Sequence, residues 1–171
     1  MSWSDRAAIA CAALAVAATL SFPGPALSAA PPTVAVADFD YVDTSGEVKD
    51  QSAAHKARVA HFVELVRADL GKQGDFRVMP LACAEPPCTP INMHPDDFIA
   101  AGRHSGARFV VYGGIHKMST LIQWADIELL DLQDNKVLLK RTVTFRGDTD
   151  EAFSRAAAFV GGTVKDAIGK Q

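Results

Sequence analysis

The chain has 171 residues, 49% of them hydrophobic and 22% charged, with a formal net charge of −3. That length suits one ordinary domain, so no second domain is needed to explain it. The mild acidity and the lack of any Lys/Arg run exclude an electrostatic footprint for nucleic acid or for a membrane surface.

The first segment differs in kind from the rest. A lone Arg6 precedes the uncharged run Ala7 to Leu20, Ser21 to Pro25 break that run, and the small residues Ala26-Leu27-Ser28-Ala29-Ala30 follow. A short basic start, an apolar middle and small residues at the cut are the marks of a secretory signal peptide. Residues 1–29 are therefore expected to be removed, leaving residues 30–171 as one periplasmic α/β domain. The apolar run falls short of the roughly 20 residues a membrane-spanning helix needs, so no membrane anchor is expected after cleavage.

In chain order, Thr33 to Phe39 reads as a first strand, apolar on both faces and so central. An acidic loop, Asp40 to Asp50, follows. Val59, Phe62, Val63, Val66 and Leu70 recur at helical spacing before Gly71, which predicts a helix over 52–70. Asp75 to Met79 reads as a short second strand, stopped by Pro80. Pro95, the acidic pair Asp96 and Asp97, then Arg103 and His104 ahead of Gly106 place a second helix at about 95–105.

Strands come next. Arg108 to Tyr112 and Ile115 to Met118 flank Gly113-Gly114, a pair that permits a bend or a close backbone approach. Leu121 to Leu132 and Lys136 to Arg146 each alternate apolar and polar residues around Gln133-Asp134-Asn135, as a hairpin does. Asp148, three residues before Glu151, resembles a capping box for a last helix carrying Phe153, Ala156, Ala157, Val160 and Val164. The predicted architecture is a single three-layer α/β domain, a mixed sheet of about five strands in the order βαβα-βββ-α.

Cys83 and Cys88, the two cysteines beyond the signal segment, are separated by Ala84-Glu85-Pro86-Pro87. In an oxidising compartment a close, even pair reads as a disulfide. The spacing departs from the redox Cys-x-x-Cys pattern, and no nearby residues complete a zinc set.

VAVADF at 34–39 and GARFVVYGGI at 106–115, with the hairpin after them, resemble envelope proteins of the TolB amino-terminal type and the CsgG relatives. FRGDTDEAFSRAA at 145–157 resembles a stretch of an uncharacterised family of exported bacterial proteins. The resemblance spans most of residues 32–168. It implies a mixed sheet with helices packed against it and an interaction role without assigned catalytic residues.

Several residues are candidates for function. Asp38, Asp40 and Asp43, with Glu47 close by, lie at the carboxyl end of the first strand, where open α/β sheets place ligands, and three acids there are a candidate site for a hard cation. Their spacing matches no EF-hand. Among the five histidines none belongs to a His-Glu-x-x-His helix or a Gly-x-Ser-x-Gly turn, and His116, just after the glycine pair, is the one to inspect. His55 and His61, six apart on the first helix, belong on different faces. Arg141 falls among Val137, Leu139, Val143 and Phe145, which requires a bulge, an inward charge, or an edge position where the stem packs and the guanidinium reaches water. Trp124 sits opposite Ala125 and Ile127, as a covered aromatic would. Arg146, alternating with Phe145, points to solvent and with Asp148 and Asp150 forms a candidate contact stretch.

The reading that follows is a non-enzymatic envelope module that binds another cell-envelope protein, with no cofactor and no nucleic-acid partner. A periplasmic small-ligand or divalent-cation binder is the alternative, and a hydrolytic enzyme comes third.

Overall fold

The computed structural model describes residues 30–72 and 75–171. The expected signal peptide lies outside the described residues. Eight elements follow in chain order: β1 (Thr33–Asp43), α1 (Ser52–Gly71), β2 (Arg77–Pro80), α2 (Pro95–His104), β3 (Phe109–Lys117), β4 (Ile122–Asp131), β5 (Lys136–Arg146) and α3 (Asp150–Ile168). The strands form one sheet in the order β2-β1-β3-β4-β5. β1 is parallel to β2 and β3, and β3, β4 and β5 run antiparallel. Among the described residues no helix is long and apolar enough to cross a membrane.

The helices split between the two faces. Val59, Phe62, Val63, Val66 and Leu70 of α1 and Phe153, Ala156, Ala157, Val160 and Val164 of α3 pack on one face, against Val34, Val36, Phe109, Val111, Ile127 and Leu129. Phe98 of α2 packs on the other, with Ala35, Ala37, Val110, Leu130 and Leu132. Both periodicities seen in the sequence are thereby satisfied: the helical stripe of α1 meets the alternate residues of the central strands. Because α1 and α2 leave β1 and β2 on opposite faces, the β1/β3 junction is a topological switch point, where α/β sheets open a crevice at the carboxyl ends of their strands.

Three details depart from the sequence reading. β1 continues to Asp43, so Asp40 and Asp43 are strand residues and not loop residues. Its register shifts between Val36 and Phe39. That bulge reverses the alternation: Val34 and Val36 face α1 before it, Phe39 and Tyr41 after it. Secondly, β3 is continuous through Gly113-Gly114. Gly113 serves the close approach, since a Cβ there would meet the Asp126 carbonyl oxygen at 1.9 Å. Thirdly, the hairpin is bulged between Leu129 and Leu130, so Val137 pairs with Leu130 and lies on the opposite face from Leu139.

Cys83 and Cys88 form a disulfide, with Cα atoms 5.7 Å apart. The stapled loop then runs along β1, where the Asp38 N–H donates to the Cys88 carbonyl at 3.2 Å.

Candidate functional site

At the carboxyl end of β3, Lys117 follows Ile115 on the inward side of the strand and is fully buried. Its ammonium donates to Asp148 Oδ2 at 2.8 Å and to Glu47 Oε2, and lies 3.9 Å from Asp43. His55, buried on the same stripe of α1 as Val59 and Phe62, places Nε2 2.8 Å from Asp148 Oδ2 and Nδ1 3.6 Å from Asp43 Oδ2. Arg58, one turn on, donates to Asp148 Oδ1 and, through Nε, to Asp150 at 2.9 Å. Gln123 of β4 donates to the Gly147 carbonyl at 3.0 Å. Five elements and two loops thus meet through one polar network.

The electrostatics fit a pinned cation. Burial works against the charge on Lys117, but hydrogen bonds and charge from Asp148 and Glu47 outweigh it and hold the ammonium above the ordinary lysine value. For Asp148, burial is likewise outweighed by hydrogen bonds from Lys117 and His55 and by Arg58, which keep the carboxyl below its usual range. A nucleophilic or basic lysine needs the opposite shift. The arrangement therefore holds Lys117 and Asp148 in their charged forms.

Asp148 enters this network because it is not the helix cap. Thr149 caps α3, its side chain accepting from the Ala152 N–H at 3.3 Å, while Glu151 pairs with Arg155 one turn along. Gly147 adopts φ +99°, a conformation an L side chain rarely takes, as the chain turns from β5 into α3. The capping box expected at Asp148 and Glu151 is replaced by a threonine cap one residue later.

The acids of β1 do not converge either. After the bulge, Asp43 faces α1 and the ionic network, whereas Asp38 and Asp40 are on other sides of the strand. Asp38 accepts from the Cys88 N–H at 2.9 Å, and Asp43 from the Ser45 N–H at 2.8 Å. Among the described residues no three His, Cys, Asp or Glu side chains are grouped as metal ligands. Beside β1 lies a cavity of about 820 Å³. It runs along the carboxyl-terminal half of β1, walled by α1 and the stapled loop, and takes no wall residue from β3, so it lies off the β1/β3 junction.

The remaining candidates divide between the faces. Arg141 pairs with Ile127 on the α3 side, is exposed at the edge strand, and holds its guanidinium 5.2 Å from the Phe159 ring centre. It is the edge arrangement, with no buried charge to explain. His116, Trp124 and Arg146 share the other face. His116 pairs with Trp124, their rings edge to face at 4.8 Å, and Ile122 pairs with Arg146 in the next row. His116 Nε2 is 2.8 Å from the Thr44 hydroxyl.

Residues 32–162 match the family model described as Protein of unknown function (DUF2380), DUF3280. The chain belongs to the DUF3280 family. No curated protein matches it at a significant level. Among solved structures, TolB from Acinetobacter baumannii is 18% identical with a TM-score of 0.51; the likeness covers 81% of this chain, which spans 28% of TolB's length. PelC from Paraburkholderia phytofirmans, a dodecamer, is 18% identical with a TM-score of 0.51, covering 84% of this chain and 91% of PelC. The hypothetical protein CT253 from Chlamydia trachomatis is 10% identical with a TM-score of 0.59, covering 83% and 100%. At such identities these likenesses concern the fold.

For this DUF3280 chain, sequence reasoning passed over Lys117 and Arg58. The available signal was parity: Lys117 stands two residues after Ile115, on the core-facing side of a strand. Its partners come from loops and helices far along the chain, and no spacing announces them.

Proposed function

We propose that the protein is an exported, non-enzymatic binding module of the bacterial cell envelope, taking a partner protein on the half of the sheet that α2 leaves uncovered. The observation that carries this reading is the surface at the carboxyl end of β1 and β3. Val42, Met118, Leu121 and Ile122 expose 46%, 42%, 68% and 41% of their surface there. Half-buried Trp124 stands against His116, and Arg146 borders the patch. Exposed aliphatic and methionine side chains around a tryptophan, with an arginine at the rim, have the composition of an interaction hot spot and not of a solvated strand face. Export rests on the pattern of residues 1–29, and the binding role on the composition of this exposed face.

The test is affinity capture from an envelope extract with three baits: the mature protein, Arg146→Ala and Leu121→Glu. Both positions are exposed, so both variants should keep the parent melting temperature. The protein captured by the parent should be lost from both variants. If the same partner remains on both, this face is not the contact surface.

A further inference from the structure

β1 is eleven residues long, but β2 pairs only with its first part, Thr33–Val36. Beyond it the stapled loop makes one backbone bond, from the Asp38 N–H. From Phe39 to Asp43, among the described residues, the strand is paired with β3 alone. That leaves about 16 Å of strand edge, at about 3.3 Å per residue, without a paired strand on the β2 side, although the stapled loop reaches the Asp40 carboxyl through Thr89 and Ile91.

The 820 Å³ cavity lies along this edge. Its walls include Phe39, Tyr41 and Asp43, which face α1, together with Asp38 and Asp40, which do not. A void that touches side chains of both faces of one strand has to run beside the strand's edge, where backbone N–H and C=O groups are presented. His55, Val59 and Val63 of α1 form the opposite wall, and Pro86 and Pro87 close it on the loop side.

The lining is acidic. Asp38, Asp40, Asp43, Glu47 and Asp50 outnumber Lys49 and Lys56. Lys117 engages Asp43 and Glu47, but among the described residues Asp40 has no ion-pair partner. The Tyr41 hydroxyl, in the same lining, is buried with no hydrogen-bond partner.

We infer that this cavity is a strand-addition site, continuing the position of β2, for an extended peptide segment that carries basic side chains. The peptide backbone pairs with Phe39–Asp43, alternate apolar side chains enter the space under Val59 and Val63, and basic ones reach Asp40. Main-chain pairing with alternating side-chain pockets is the established logic of β-augmentation. The site is separate from the Trp124 face and stands or falls without it.

The test uses a fluorescent hexapeptide of alternating lysine and valine as the probe. Anisotropy should show saturable binding that weakens with salt, and amide NMR shifts should concentrate at residues 39–43. Three controls should fail to bind: a glutamate–valine peptide, the lysine–valine peptide N-methylated at alternate amides, and lysinamide. Ala60→Trp, at an exposed α1 position lining the cavity, should keep the fold and weaken binding by about tenfold, while Asp40→Asn should weaken it by a smaller factor. Equal binding of the N-methylated peptide or of lysinamide overturns strand addition, and so do shifts located elsewhere or an absence of binding. Loss of fold in Ala60→Trp leaves Asp40→Asn and the peptide controls to decide.

Discussion

Lys117 and Asp148 are 31 residues apart, yet the lysine ammonium donates to the aspartate at 2.8 Å and so ties the end of β3 to the start of α3. Lys117 is fully buried and the carboxylates around it are mostly so. Removing the cation leaves Asp43, Glu47 and Asp148 facing one another with only His55 and Arg58 between them.

Lys117→Met should therefore destabilise the fold by about 3 kcal/mol in urea unfolding at neutral pH, as breaking a buried pair does. The pH dependence follows from the two shifts. Asp148 titrates below its free value of 3.8 in the folded protein, so its contribution is present above 3.8 and is lost as pH falls through the folded value. Lys117 titrates above its free value of 10.5, so its contribution is present below 10.5 and is lost as pH rises through the folded value. In Lys117→Met the alkaline limb should shrink, the remainder coming from Tyr41 and Tyr112, whose hydroxyls burial holds above their ordinary value, and the acid limb should flatten. A variant with the parent's pH profile would show that the network contributes nothing to folding.

Asp40 has the opposite character. Burial raises its carboxyl above 3.8, although the Thr89 side chain and the Ile91 backbone work against the rise. The folded state thus favours the neutral acid, and a cost appears as pH climbs through the folded value. Asp40→Asn should raise the melting temperature near neutrality, and the gain should disappear in acid below 3.8. A lower melting temperature near neutrality would mean that the hydrogen bonds to the carboxylate outweigh its desolvation.

The two residues at the start of α3 can be separated by substitution. Thr149→Ala should cost about 1 kcal/mol, the worth of a helix cap. Asp148→Ala should cost more, because it strips a partner from Lys117, His55 and Arg58 together. Chemical denaturation of both variants checks the order, and equal losses would return Asp148 to a capping role.

Much of the fold was legible in the residues themselves. The apolar stripe of α1, the Pro95 start of α2 and the alternation of β4 and β5 all reflect local physics and appear where expected. The bulge in β1 was not legible, because Ala35, Val36 and Ala37 are apolar on both sides of it and carry no parity signal. The site suffered for that reason: one inserted residue sends Asp43 to the face of Lys117 and turns Asp38 and Asp40 away from it, while Asp40 and Asp43, three apart, are on opposite faces by ordinary strand alternation. Asp148 was misplaced for a different reason. Asp and Thr are both good caps, and only the turn at Gly147 decides which of them begins the helix.

The free edge at β5 has a consequence for crowding. Lys136, Lys140, Arg141 and Arg146 lie along that strand, which contains no acidic residue. Two copies approaching edge to edge would bring Lys136, Arg141 and Arg146 against like charges, Lys140 being already paired with Glu128 at 2.8 Å. The repulsion keeps the sheet from growing into a ribbon at this end, as charged edges do in other sheets. Molecules of this protein at high concentration should stay dispersed through β5 and depend on salt to do otherwise.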